Sequence, residues 1–161
     1  MKKVLLFGAG FGLLGFAIYR YVKVQQQLLS KFSYRIVGFN FAKFTLEEIT
    51  VSLRIKFISD ADLEAKIESV FLNMYVDDSP VGYISNDNPF VVPAHGSSYI
   101  DLTFSFSPKL ILRNVVNVSL AGFGSKDIKF NVDGYAKLRS GWISTTLPVK
   151  YTTTLKQYLA K

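Results

Sequence analysis

From Ile49 to Phe57 apolar side chains occupy the odd positions (Ile49, Val51, Leu53, Ile55, Phe57), and Leu46 stands just ahead of them. Thr50, Ser52, Arg54 and Lys56 fall in between, a period of two that belongs to a strand with one buried face and one wet face. Ser59-Asp-Ala-Asp62 punctuates it with turn formers. A second strand is predicted over Ala65 to Val76, broken by Asp77-Asp-Ser-Pro80, and a third over Val81 to Ser85, followed by Asn86-Asp-Asn-Pro89. Ser98 to Ser107 alternates again, and Pro108 stops it. Lys126 to Leu138, the turn Arg139-Ser-Gly141 and Trp142 to Thr154 read as a long hairpin. Lys109 to Leu120 keeps two readings: Leu110, Ile111, Val115 and Val118 suit a short helix after Pro108, and its β-branched residues suit a strand. The fold class is therefore all-β, an antiparallel β-sandwich of seven or eight strands over residues 32–161.

Residues 1–31 follow another pattern. Val4 to Val22 is a run of 19 residues with one charge, Arg20, near its end where the side chain can snorkel. A bilayer core about 30 Å thick takes about 20 such residues as a helix. Tyr19 and Tyr21 stand where an interfacial aromatic belt lies, and Lys2, Lys3, Arg20 and Lys23 form basic flanks. The run contains Gly10-x-Gly12-x-x-Gly15, the spacing of a dinucleotide-binding loop. That motif needs an acidic residue about 20 positions on to hold a ribose hydroxyl. The first acid after Gly15 is Glu47, and no alternation of strands with amphipathic helices follows. The glycines are read instead as Gly8, Gly12 and Gly15 on one helical face, where small residues admit a neighbouring helix; glycine is also simply common in membrane helices. A cleaved signal peptide fits less well. Its apolar stretch is 7–15 residues long, and Gly15-Phe-Ala17 is a poor cleavage site. The expectation is an uncleaved single-pass anchor, continued by Lys23-Val-Gln-Gln-Gln-Leu-Leu-Ser30 as a helical stalk of roughly 12 Å at 1.5 Å per residue.

Charge sharpens this division. The formal net charge is +7, yet residues 1–40 hold six basic side chains (Lys2, Lys3, Arg20, Lys23, Lys31, Arg35) and no acid. Thirteen basic and twelve acidic side chains follow, so the domain is nearly neutral and the basic excess faces lipid headgroups or another acidic surface. No basic cluster interleaved with aromatics marks a nucleic-acid face. Counting Lys and Arg alone puts the domain on the cytoplasmic side, whereas a short tail before a signal-anchor gives the opposite, so the side stays open. The chain has no cysteine, which excludes disulfides, thiolate metal sites and thiol lipidation.

The arrangement resembles the LEA14-type family, also described as the water-stress and hypersensitive-response (WHy) domain. The residues carrying the resemblance are Ile49-Thr-Val-Ser-Leu-Arg-Ile-Lys-Phe-Ile58, Val81-Gly-Tyr83, Val91-Val-Pro-Ala-His-Gly-Ser-Ser98, Phe130-Asn-Val-Asp-Gly-Tyr135 and Ile143-Ser-Thr-Thr-Leu-Pro-Val-Lys150. Gly134 and Pro148 match a glycine and a proline that the family has in its final hairpin. Ser59-Asp-Ala-Asp62 departs from the family's Asn-Pro-Asn-like turn. The resemblance spans about residues 40–155 and implies a small β-sandwich without an established catalytic site, linked to stress protection or to envelope-associated interaction.

Candidate chemistry is sparse. His95 is the only histidine and reads as a turn residue. Asp60, Asp62 and Glu64 have the alternating spacing of a calcium loop, but Ala65 and Phe71 stand where an EF-hand needs its glycine and bidentate glutamate. Asp77-Asp78 and Asn86-Asp-Asn88 are ordinary turn chemistry. No catalytic residue, cofactor or metal site is expected. Fourteen Phe and nine Tyr exceed what a core of this size needs, so some are expected on a partner surface. The functional expectation is a non-enzymatic, membrane-anchored structural or interaction protein whose partners are a lipid bilayer and other proteins. The latter would belong to a larger assembly such as a membrane-containing virion (at its internal membrane) or a bacterial cell-envelope complex. A LEA14-type stress-protection protein is the alternative, and a small-ligand carrier or enzyme ranks last.

Overall fold

The computed structural model describes residues 15–23, 26, 30–45, 47–109, 127–154 and 157. Among the described residues there are eight strands: β1 (Phe32–Phe44), β2 (Ile49–Ser59), β3 (Ala65–Val76), β4 (Ser79–Asn86), β5 (Phe90–Val92), β6 (Ser97–Phe106), β7 (Lys129–Ser140) and β8 (Ile143–Thr154). They form two antiparallel sheets. The first has the order β1-β2-β6; the second has the order β4-β3-β7-β8, with β5 beside β4 on the same edge of β3. The alternation legible in β2 is the reason this works. Its inward residues Val51, Leu53, Ile55 and Phe57 are almost wholly buried, and they face Ile67, Val70, Leu72, Met74, Val132 and Leu138 of the second sheet. Burying each of these side chains contributes about 1.5–3 kcal/mol, and together they hold the sheets face to face.

Two strands were not foreseen. In β1 the register shifts between Ile36 and Gly38, so Val37 is a bulge residue. Phe32, Tyr34 and Ile36 point inward before it, Phe39 and Phe41 after it. A bulge inserts one residue and flips the parity of everything beyond, which hides a strand from a search for a single alternation. β5 has only three residues, too few for a period to register. Leu46 lies outside the described residues, as does 110–126, where the helix-or-strand ambiguity of Lys109 to Leu120 falls.

The turns are tighter than expected. Val76 pairs with Ser79, leaving Asp77 and Asp78 as a two-residue loop with φ of 46° and 66°. Two left-handed residues make a type I′ turn, whose twist matches the flanking strands. Asp77 accepts from the Lys129 amide at 3.0 Å and Asp78 from the Asn131 side chain at 3.3 Å, so both carboxylates serve the start of β7. In the last hairpin Ser140 pairs with Ile143, and the loop is Gly141-Trp142 rather than Arg139-Ser-Gly141. Gly134, opposite Leu72, admits no side chain: an added Cβ would lie 2.8 Å from the Leu72 Cα and closer still to the Phe71 backbone.

The outward side chains of the first sheet are mostly polar, and several are paired. Arg54 and Asp101 stand directly opposite one another and form a bidentate ion pair at 2.6 and 2.8 Å. Lys43 reaches Glu48 at 2.6 Å, and on the second sheet Glu68 meets Arg139 at 2.9 Å and Lys137 at 3.1 Å. The partner guanidinium holds the Asp101 carboxyl below its ordinary value, hydrogen bonds from Lys43 and then Ser105 do so for Glu48, and Lys137 chiefly does so for Glu68. A carboxyl depressed in the folded state binds protons more readily when unfolded. Its stabilisation is complete above the ordinary carboxylate range, about pH 4, and is lost as pH falls through the depressed folded values. Urea-unfolding midpoints are expected to hold from pH 7 to 5 and to fall on further acidification, and Arg54→Gln should shrink that acid-induced fall.

Candidate functional site

Three places bring chemistry-bearing side chains together. The first is the outer face of the second sheet. Phe71 on β3 is in register with Tyr135 on β7, which is in register with Pro148 on β8. Their inward neighbours Leu72 and Val149 are core residues, so the period of two sends Phe71, Tyr135 and Pro148 outward. Tyr83 on β4, one pair further along, leans onto Phe71. Its ring lies 5.5 Å from the Phe71 ring at 27°, and the Tyr135 ring lies 5.8 Å away on the other side at 31°. Tyr83 is 64% and Tyr135 44% exposed. The three rings make a nearly flat strip across three strands, extended by Pro148 on the edge strand, where a missing N–H costs no ladder bond. Asn73, Asp133 and Lys150 supply polar groups on the adjoining row. The strip can stack on or cover an apolar surface, and nothing in it can act as a nucleophile or base at neutral pH.

The second place is the loop pair around His95. The His95 Nε2 lies 2.6 Å from Asp62 Oδ1, both groups being largely exposed. The surrounding backbone carries the geometry. His95 N–H donates to the Ala61 carbonyl at 3.1 Å, Ser59 N–H to the Gly96 carbonyl at 2.9 Å, and the buried Ser59 hydroxyl accepts the Ala61 N–H at 3.2 Å. Ser59-Asp-Ala-Asp62 thus closes its turn with a serine hydroxyl and buries Ala61 completely. His95 sits at φ 49°, a conformation costing about 1–2 kcal/mol for a residue with a Cβ. An exposed side-chain contact of this kind returns at most about 1 kcal/mol, so the backbone bonds hold the loop and the histidine decorates it. Among the described residues no group of three His, Cys, Asp or Glu is placed to hold a metal ion.

The third place is the expected anchor. Lys2, Lys3, Gly8 and Gly12 lie outside the described residues, and Gly15, Tyr19, Arg20, Tyr21 and Lys23 lie in a helix over residues 15–23. Ser30 N–H donates to the Gln26 carbonyl at 3.1 Å, and the rest of the expected stalk between Lys23 and Ser30 lies outside the described residues. Among the described residues no helix is long and apolar enough to cross a membrane. An added Cβ at Gly15 would meet nothing within 4 Å, so the described residues put no partner on that face. Phe16, Ile18 and Tyr19 are exposed, and the Arg20 guanidinium lies 6.0 Å from the Phe16 ring centroid. Tyr21 touches the sandwich: its ring is 5.6 Å from that of Trp142 at the tip of the β7–β8 hairpin. Sequence reasoning counted surplus aromatics without placing them. The signal for the strip was the position of Phe71, Tyr83 and Tyr135 on the polar phase of their strands.

The late embryogenesis abundant protein family LEA_2 matches residues 60–153, more than half of the chain, and the chain belongs to that family. No curated protein matches it. An Arabidopsis thaliana protein solved in solution superposes with a TM-score of 0.60 at 10% identity, over 76% of this chain and 79% of that one. A solution structure described as a late embryogenesis abundant (LEA) protein gives 0.58 at 12% identity over 86% of each chain. A crystal structure of an Archaeoglobus fulgidus protein gives 0.54 at 10% identity, over 76% of this chain and 97% of that one. At such identities the likeness is one of fold.

If His95 is a loop residue, His95→Asn, which tolerates the left-handed backbone, should change unfolding free energy by less than about 1 kcal/mol. Denaturant titration at pH 7 checks this, and a loss above about 3 kcal/mol would mean that the Asp62 contact organises the loop.

Proposed function

We propose that this LEA_2 domain is a non-enzymatic protective protein, tethered to a bilayer by the apolar segment 4–22, that works by contact through the aromatic strip Tyr83–Phe71–Tyr135. The strip is the observation that supports this most. The first sheet offers a contrast within the same molecule: its outer face carries Arg35, Asn40, Ser52, Arg54, Asp101 and Thr103, and its exposed ring, Tyr99, lies under the Lys56 ammonium at 5.5 Å rather than in a row of rings. Ring surface left in water on the second sheet forgoes about 25 cal/mol for every Å² not buried, so covering it on a client is favourable. Family membership favours protection over the alternative of a subunit in a virion or envelope complex, for which the described residues offer no separate observation. The tether is supported by the 19-residue apolar run and by the helix over 15–23, whose Phe16, Ile18 and Tyr19 side chains are exposed. A run of 19 residues with one charge, taken as a helix, belongs in a protein core or a membrane.

The strip is tested with the double substitution Tyr83→Ser and Tyr135→Ser, both outward positions, so that a β-type circular dichroism spectrum and a cooperative melt are kept. The native protein should preserve a freeze-labile client enzyme through freeze–thaw cycles in proportion to the amount added, without turnover. The double variant should lose most of that protection. Full protection by a folded double variant would remove the strip from the mechanism.

For the tether, full-length protein should stay in the membrane pellet on carbonate extraction, and deletion of residues 1–22 should release it. Release of the full-length protein would refute the tether and leave the strip untouched.

A further inference from the structure

Trp142 is the only tryptophan in the chain and the most exposed of its large apolar side chains in the described structure, at 85%. The turn puts it there. Ser140 and Ile143 close a two-residue loop in which Gly141, at φ 58°, takes the left-handed first position, so Trp142 is pushed out at the hairpin tip. The Ser140 hydroxyl donates to the Glu64 carbonyl at 3.1 Å and ties the base of that tip to the β2–β3 loop. A glycine followed by a small polar residue would make the same turn. An indole in water at that place has no role in the fold.

Among the described residues its ring meets that of Tyr21, at 5.6 Å, and the Tyr21 hydroxyl lies 3.6 Å from where a Gly141 Cβ would be. Tyr21 is the penultimate residue of the apolar run Val4–Val22, whose 19 residues measure roughly 28 Å as a helix, about one hydrocarbon core. With that run across a bilayer, Tyr21 is at headgroup level, and a ring touching it is at the same level. Tryptophan is the side chain most suited to that depth, with an apolar body for the acyl boundary and an N–H for the headgroups.

The geometry points to the β7–β8 hairpin tip as a second membrane contact, with Trp142 seated in the headgroup layer of the bilayer that holds segment 4–22. This rests on the tether proposed above and adds an orientation to it. A helix alone lets the domain swivel on its stalk. A second attachment fixes which side faces the lipid and stands β7 up from the surface. Tyr135 is seven residues from Trp142 along that strand, so the aromatic strip lies at most about 24 Å above the headgroups at 3.4 Å per residue, clear of the lipid. The β2–β3 and β5–β6 loops at the same end carry Asp60, Asp62, Glu64 and His95 against Lys31, Arg20 and Lys23. With those carboxylates there, attachment is expected through the indole rather than through anionic lipid, and phosphatidylcholine suffices.

The single tryptophan makes the test direct. Full-length protein is reconstituted into phosphatidylcholine vesicles whose acyl chains carry bromine either near the headgroup or near the bilayer centre. The emission should shift to the blue relative to an aqueous indole, and shallow bromine should quench it at least about twofold more than deep bromine, as an interfacial indole requires. Protein that floats with the vesicles yet keeps an aqueous emission, unquenched by either lipid, would overturn the hairpin contact while leaving the tether standing. Stronger quenching by the deep bromine would also overturn it, by putting the indole in the acyl core. Protein that fails to float would overturn the tether and this inference with it.

Discussion

The closure of the sandwich along β1 and β8 is the constraint from which the arrangement of the functional surfaces follows. β8 is an edge strand, and an open edge invites pairing with other chains. Tyr34 of β1 lies against it, its hydroxyl accepting the Lys150 N–H at 2.7 Å and donating to the Lys150 carbonyl at 3.1 Å. Beside it Phe39 and Phe41 pack on Phe130 with ring centroids 5.9 and 5.1 Å apart, and Phe39 meets Tyr151 at 5.8 Å. The division of labour follows from magnitudes. Each hydroxyl bond is worth about 1 kcal/mol net, whereas each ring contact adds about 0.5–1.5 kcal/mol to the burial of a whole side chain. The rings bring β1 to β8, and Tyr34 sets where along the edge it stops.

That seam decides where the N-terminal helix goes. Only Lys31 separates Ser30 from the buried Phe32 at the start of β1. Because β1 lies along β8, the helix enters beside the β7–β8 hairpin, and Tyr21 meets Trp142. Were β1 on the far edge of its sheet, beside β6, the helix would leave the sandwich near β4 and the hairpin tip would have no neighbour. The relation between the N-terminal helix and the hairpin is a consequence of strand order, not of a dedicated interface.

The general architecture was legible from alternation alone, because five of the eight strands keep one parity along most of their length and are bounded by Pro, Gly, Asn and Asp. What escaped reading involves either a broken parity or an inter-strand relation. The Val37 bulge splits β1 into two short runs of opposite phase, and three residues of β5 are no pattern at all. The aromatic strip is invisible for a different reason. Phe71, Tyr83 and Tyr135 each look like an acceptable strand residue in their own segment, and only the register of β4, β3 and β7 shows that they share a face. Trp142 was read as the first residue of a strand; pairing of Ser140 with Ile143 moves it into the loop and turns a supposed strand residue into the most exposed ring among the described residues.

The family match begins at Asp60, so it covers the sheet that bears the aromatic strip and omits β1, the whole of β2 and everything before them. The two surfaces therefore have different standing. The strip lies wholly on strands inside the family domain, on a scaffold whose close packing requires Gly134. The N-terminal helix and the seam that aims it belong to the part outside the match. Yet they meet the family domain at Trp142, inside the matched residues, on a turn whose glycine and serine already suffice to reverse the chain. A side chain that the fold does not need, touching a segment that the domain match does not include, has its physical reason in that segment and in whatever surrounds it.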